Sequence, residues 1–265
     1  MSQKLAEKIR QKSHLLGVIL KMPAPGLVEL VGALGFDLIV IDTEHGPSSG
    51  PDLEHHLRAA DAAGIPALVR ISSHRAESAL MALDAGAVGI VFPHVSSKED
   101  AVRAVAAAHY PPHGKRSLSL TTRSGRQGTI SLAQHLKASH ENTVVVVQIE
   151  DYRGMQATDD ICSVAGVDAI WIGLNDLSLD CRQAEKMSAE EFESAVESLR
   201  RSVKSSSTAL TISPSSIEDL SLWRSRGATV QLIPFQSMAI LGARQFLDHH
   251  ADREGIATPE ESRLT

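Results

Sequence analysis

The chain has 265 residues, 43% of them hydrophobic, and a formal net charge of −6 from 26 basic and 32 acidic side chains. That is enough length and apolar content for the core of one large α/β domain, and the acidic balance, with no run of Lys/Arg interleaved with aromatics, argues against a nucleic-acid surface. The only two cysteines, Cys162 and Cys181, lack CxxC spacing, so neither a disulfide framework nor a zinc-finger pattern is expected.

The opening stretch MSQKLAEKIRQKSH is charged and amphipathic where a signal peptide needs an unbroken apolar core. No later run approaches the roughly 18 apolar residues of a membrane span. The expectation is a soluble, cytoplasmic protein with no membrane partner. Short apolar runs then recur along the whole length and predict strands at 15–20, 37–42, 66–71, 88–93, 143–150, 168–173, 208–212 and 229–233. Helical patterns fall between and after them, at 25–34, 51–63, 74–84, 97–109, 151–165, 188–204, 214–226 and 236–248, many opened by Pro, Ser or Asp and closed by Gly. Alternation without a hairpin signal predicts a parallel sheet, and eight units close into a (β/α)8 TIM barrel, expected as a single domain over residues 1–265. An open doubly wound sheet is the alternative, but no GxGxxG follows the first strand.

Active sites of such barrels stand at the C-terminal ends of the strands. Those exits carry Lys21; Asp42, Glu44 and His45; Arg70; Pro93 and His94; Glu150; Asn175 and Asp176; Ser213; and Pro234, Phe235 and Gln236. The stretch from Thr143 to Ser178 reads as a βαβ unit, so Glu150 and Asp176 converge if their strands are neighbours roughly 5 Å apart. Two carboxylates in an oxygen-rich mouth suit a hard divalent cation such as Mg2+ or Mn2+. An acid after a strand also serves as a helix N-cap, and Asn175 or Asp176 fits that use.

His45 lies among acids in IDTEHGP, the setting of a general acid/base, although a surface histidine in a polar turn gives the same pattern. His55 and His56, adjacent on a predicted helix, cannot face one site together and are read as surface histidines. Arg70 ends an apolar strand, where a guanidinium needs either an acid such as Glu44 or an anionic substrate. Residues 111–129 lack periodicity and hold Arg116, Arg123 and Arg126; they are expected to form a mobile, positively charged lid whose Arg123 meets substrate, against the alternative of a solvated surface loop. Lys21 is the only lysine at any of the eight exits, which favours a metal over a Schiff base. The polar tail 249–265 is expected to be disordered or to lie on a neighbouring subunit.

Taken together, GFDLIVIDTEHGP (35–47), ALVRI (67–71), DAGAVGIVFPHV (84–95), YPPHGKRS (110–117), VVQIED (146–151) and IWIGLNDLS (170–178) resemble the HpcH/HpaI class II pyruvate-aldolase family, over about residues 15 to 180. The resemblance implies a barrel that assembles as a homohexamer, often with an exchanged C-terminal helix. It also implies a divalent cation (Mg2+, Mn2+ or Co2+) and aldol cleavage of a 4-hydroxy-2-oxo acid substrate to pyruvate. It makes Glu150 and Asp176 the metal ligands, Arg70 the group that holds the keto-acid and its enolate, and His45 the acid/base. Asp42 and Asp84 become acids near that histidine, Gln148 a polar neighbour of the metal, and the backbone of Gly173, Leu174, Asn175 and Asp176 the holder of the pyruvate carboxylate. The sequence departs from the family at Leu174, where Pro is usual, at Arg126-Gln127-Gly128, where Tyr-Gly is common, and at IPFQSM (233–238), where a Gly-Ser-Asp type of turn is usual. Two rivals follow: a condensing, citrate-synthase-like member using oxaloacetate or a similar keto-acid, and a catalytically silent barrel that binds a metal and a keto-acid.

Overall fold

The computed structural model describes residues 2–46, 50–183 and 187–254. Eight strands, β1 (Leu15–Leu20), β2 (Leu38–Asp42), β3 (Ala67–Arg70), β4 (Gly89–Phe92), β5 (Val144–Ile149), β6 (Ala169–Ile172), β7 (Ala209–Ile212) and β8 (Val230–Pro234), pair in chain order into a closed barrel. Every pair is parallel, including β1 with β8. The (β/α)8 architecture expected from the alternation is the one observed.

Strand parity decides which side chains enter the lumen. Leu38 and Val40, Leu68, Val91, Val144 and Val146, Ala169 and Trp171, and Val230 and Leu232 form one inner cluster. Helix α1 (Ser2–Arg10) closes its floor with Leu5, Ala6 and Ile9. Continuing the same parity upward puts Asp42, Arg70, Gln148 and Glu150 in the top layer, all buried. The opposite parity (Ile39, Val69, Ile90, Val145, Val147, Ile170) packs under the helical shell.

The outer ring comprises α2 (Pro25–Ala33), α3 (Pro51–Ala63), α4 (Ala76–Asp84), α5 (Lys98–Ala108), α6 (Leu132–Asn142), α7 (Tyr152–Gln156), α8 (Thr158–Cys162), α9 (Leu174–Ser178), α10 (Ala189–Ser205), α11 (Ile217–Ser225) and α12 (Phe235–Glu254). Ser97, Ser131, Ser188 and Ser216 cap α5, α6, α10 and α11 through their hydroxyls.

Besides α1 and α9, which lie outside the predicted helical patterns, three elements differ from the sequence expectation. The single helix predicted over 151–165 is two short ones, α7 and α8, that meet at Ala157. Helix α6 was unforeseen, because LAQHLKASHEN buries only His135 and carries no apolar stripe. Helix α12 runs on through 249–254, so the start of the expected disordered tail is helical, while residues 255–265 lie outside those described.

The expected lid is displaced. Helix α5 runs back from the C-terminal ends of the strands to the N-terminal ends, so the segment that follows it, 111–129, starts under the barrel. There Arg116 donates to Asp84 at 2.7 Å and lies 4.7 Å over the Tyr110 ring, and Arg123 pairs with Asp61 at the end of α3. Ser124 N–H donates to the Asp84 carbonyl. The arginines of this segment therefore do not stand over the mouth of their own barrel.

Candidate active site

At the mouth, β2 and β3 place Asp42 directly beside Arg70 in register. Arg70 grips Asp42 with both sides of its fork, Nε to Oδ1 at 3.1 Å and Nη2 to Oδ2 at 2.5 Å, and sends Nη1 to Gln148 Oε1 at 3.3 Å. Its guanidinium also lies 5.2 Å from the Trp171 ring centre. Of the five N–H groups of an arginine, two are left for a ligand. The sequence expectation for Arg70 is the grip on an anionic substrate, with an acid such as Glu44 as the alternative; the structure gives it an acid, Asp42, without exhausting its donors. Burial alone raises the Asp42 carboxyl, but the hydrogen bonds and charge of Arg70, with the amides of His45 and Glu44, outweigh it and hold Asp42 below its usual range.

Gln148 donates its amide to Glu150 Oε2, and the backbone N–H of His94 donates to Glu150 Oε1 at 2.7 Å. The His94 ring stands between two acids, Nδ1 at 2.8 Å from Glu150 Oε1 and Nε2 at 2.9 Å from Glu44 Oε1. Glu150 is almost fully enclosed, and its carboxyl is pushed up to about 7 by burial first, then by the neighbouring charges of Glu44 and Asp176 against the opposing pull of His94. Glu44 Oε2 is buried with no hydrogen-bond partner, although Arg70 Nε lies 3.3 Å away, because that N–H is aimed at Asp42.

Three carboxylates sharing one small volume, one of them with an unmet oxygen, make a donor set short of positive charge. A divalent oxygen-seeking cation fits it. Among the described residues, Glu44, His94 and Glu150 are the three side chains whose ligand atoms come close enough to share one ion.

Asp176 lies exposed in the first turn of α9 and acts on Glu150 electrostatically, but it is not among the side chains whose ligand atoms come together at the mouth. The backbone of Gly173 passes so close to this pair that a Cβ there would stand 2.8 Å from Gln148 Nε2 and 2.9 Å from Glu150 Oε2. Its own N–H is taken by the Ile149 carbonyl at 2.9 Å. The amides of Leu174, Asn175 and Asp176, in the first turn of the helix, are the ones without an intrahelical partner.

His45 is 54% exposed at its side chain, with Nε2 3.7 Å from Glu44 Oε2, while its backbone N–H donates to Asp42 Oδ1 at 3.2 Å. Its carboxylate neighbour is thus Glu44. Asp84 and Arg123 are not brought to this cluster; both lie at the N-terminal end of the same barrel, in the pairs already described. His56, read from sequence as a bystander, is fully buried and holds the β1–α2 loop by accepting the Ala24 N–H at 3.0 Å. Sequence reasoning placed His94 at a strand exit without giving it a task; the signal was its position two residues past β4, directly after Pro93.

The model of the HpcH/HpaI aldolase/citrate lyase family matches residues 16–243. A 5-keto-4-deoxy-D-glucarate aldolase from Salmonella arizonae is 33% identical over 157 residues, which are 59% of this chain and 60% of that protein. The match to such curated relatives thus spans 60% of their length. Among solved structures, an HpcH/HpaI aldolase/citrate lyase family protein from Burkholderia cenocepacia superposes with a TM-score of 0.86 at 25% identity, over 93% of this chain and 98% of that one. The citrate synthase SbnG does so with a TM-score of 0.80 at 28% identity, over 95% and 98%. With a family model that covers both the barrel and the acidic mouth, the chain belongs to the HpcH/HpaI aldolase/citrate lyase family.

Proposed function

We propose that this protein is a divalent-metal-dependent carbon–carbon lyase of the class II aldolase type, acting on a 4-hydroxy-2-oxo acid with pyruvate as the enolate-forming half. The observation that carries this reading is the contact chain Asp42–Arg70–Gln148–Glu150, buried at the mouth and bordered by Glu44 and Asp176. Glu150 and Asp176 would hold the cation, which when bound supplies Lewis acidity toward the keto and carboxylate oxygens of the substrate.

The remaining work falls to the chain's own groups. Arg70, held rigid by Asp42, offers its spare N–H groups and full charge to the enolate oxygen as it forms. Amides of the first turn of α9 receive the carboxylate. In the cleavage direction His45 takes the proton of the 4-hydroxyl, the electron pair of that O–H bond becomes the aldehyde C4=O bond, the C3–C4 pair becomes the C2=C3 bond, and the C2=O pair moves onto the keto oxygen to give the enolate. Return of a proton to C3 then yields pyruvate. The same groups run in reverse for condensation.

The likeness to a 5-keto-4-deoxy-D-glucarate aldolase favours a hydroxylated dicarboxylic keto-acid as substrate, and the likeness to a citrate synthase supports a condensing member as the second reading. The arginine-rich segment lends that second reading no help from within one chain, since Arg116 and Arg123 are paired with Asp84 and Asp61 at the other end. Helix α12 leaves Ile240, Leu241, Phe246 and Leu247 exposed, Phe246 at 83%, which supports assembly with further copies of this chain. No described helix is long and apolar enough to cross a membrane.

The test is pyruvate release from a panel of 4-hydroxy-2-oxo acids with and without EDTA. Chelator-sensitive release is expected. Activity that survives EDTA and is trapped by borohydride contradicts the metal mechanism, and no turnover of any keto-acid favours a silent binding barrel.

A further inference from the structure

We propose that His94 is a nitrogen ligand of the ion held by Glu150, with Glu44 as the carboxylate that orients its ring, so that this protein prefers Co2+, Zn2+ or a similar borderline metal to Mg2+. The inference rests on Glu150 being a metal ligand and adds to that reading a residue and a metal class.

A ligating histidine nearly always gives its other ring N–H to a carboxylate or carbonyl, which fixes the tautomer and raises the basicity of the ligating nitrogen. His94 has that partner: Nε2 lies 2.9 Å from Glu44 Oε1, and Glu44 is nearly enclosed, with 10% of its side chain exposed. With the proton on Nε2, the lone pair of Nδ1 faces Glu150 Oε1 at 2.8 Å. Two ligand atoms on adjacent vertices of an octahedron with bonds near 2.1 Å stand about 3.0 Å apart, so this pair needs almost no movement to share an ion.

The backbone supports the same conclusion independently. His94 is a non-glycine residue with φ at +51°, a conformation that costs an ordinary side chain free energy and collects at functional sites. That twist at the β4 exit lets one residue address Glu150 twice, from its N–H at 2.7 Å and from its ring. Oxygen ligands alone suit Mg2+; an imidazole among carboxylates moves preference along the series toward Co2+, Ni2+ and Zn2+.

The experiment uses the full chain and its His94→Gly and His94→Asn variants, both of which suit a left-handed backbone. Co2+ and Mg2+ are titrated separately by calorimetry, and the visible absorption of the Co2+ form is recorded. Both variants are expected to bind Co2+ about 10–100-fold more weakly and to change its absorption spectrum. Their Mg2+ affinity should stay within roughly threefold, as expected for a site whose oxygen ligands remain. Unchanged Co2+ affinity and spectrum in both variants, or tighter binding, overturns the role of His94 while leaving Glu150 and Asp176 untouched. If the wild-type chain binds neither ion, or if Asp176→Ala leaves binding unaltered, the metal reading of the site falls as well.

Discussion

At the N-terminal face of the barrel, charges meet partners one for one, most of them buried or half-buried and Asp61 exposed: Arg116 with Asp84, Arg123 with Asp61, and Arg10 with Asp168. At the mouth one guanidinium, Arg70, is matched to Asp42, while Glu44 stands beside it and Glu150 lies next to Glu44 and Asp176; among the described residues, His94 and His45 are the other basic side chains that pair with these further acids. In the first arrangement each guanidinium meets one carboxylate, so the charges balance pair by pair even though Arg116 Nε, Arg123 Nε and His109 Nδ1 are left without a hydrogen-bond partner. The second keeps an unspent negative charge and an unmet carboxylate oxygen on Glu44, which is the state of a site made for a cation and an anionic ligand rather than for stability. Both faces are rich in arginine and acid; stoichiometry and burial separate them.

Breaking the one matched pair at the mouth is expected to have the largest effect. Asp42→Ala leaves the Arg70 guanidinium buried beside Glu44 without its bidentate partner, so a loss of about 3–5 kcal/mol in chemical denaturation is expected, together with loss of turnover. A loss below ~1 kcal/mol would mean that water or Glu44 takes over the role of Asp42.

The next prediction concerns the N-terminal face. His109 is buried with its Nδ1 unpartnered, and burial, followed by the charges of His140, Arg10, His113 and Arg116, pushes its ring down to about 4. The unfolded chain, with an ordinary histidine, takes up a proton that the folded chain refuses, so stability falls as pH drops from about 6.5 toward 4, by a contribution on the order of 3 kcal/mol. Above pH 6.5 no such contribution exists. Melting curves across this range should therefore be less steep in pH for His109→Asn than for the wild type, and parallel profiles would refute the assignment.

The smallest effect sharpens the contrast. Asp168 accepts from Arg10 Nε at 2.7 Å and from the Val145 N–H at 2.8 Å. Asp168→Asn keeps one acceptor and should cost about 1–3 kcal/mol of stability while leaving kcat per folded chain unchanged. A drop in kcat without a drop in stability would show that the two faces are coupled.

Much of this layout was legible in the amino-acid order. All eight strands fall within a residue or two of their apolar runs, because a strand covered on both faces has to be uniformly apolar. Asp42, Arg70 and Glu150 are legible because position at a strand end fixes which mouth a side chain reaches, whereas Gln148 enters only through the family resemblance. The arginines of 111–129 were misplaced because composition says nothing about which end a loop occupies; connectivity does, since a segment that joins α5 to β5 has to start under the barrel. His94 was seen but not used, because its role depends on a left-handed backbone that no propensity signals. Asp84 shows a further limit: a motif match carries a residue's identity, whereas its distance from His45 within one chain comes only from the fold.

The central claim, that the acidic mouth holds a divalent cation, is tested most directly by calorimetric titration of Mn2+ into the wild-type chain and into Glu150→Gln, each with and without pyruvate. One site per chain is predicted for the wild type, tightened by pyruvate and lost in the variant. A titration that is the same in both proteins would contradict the account.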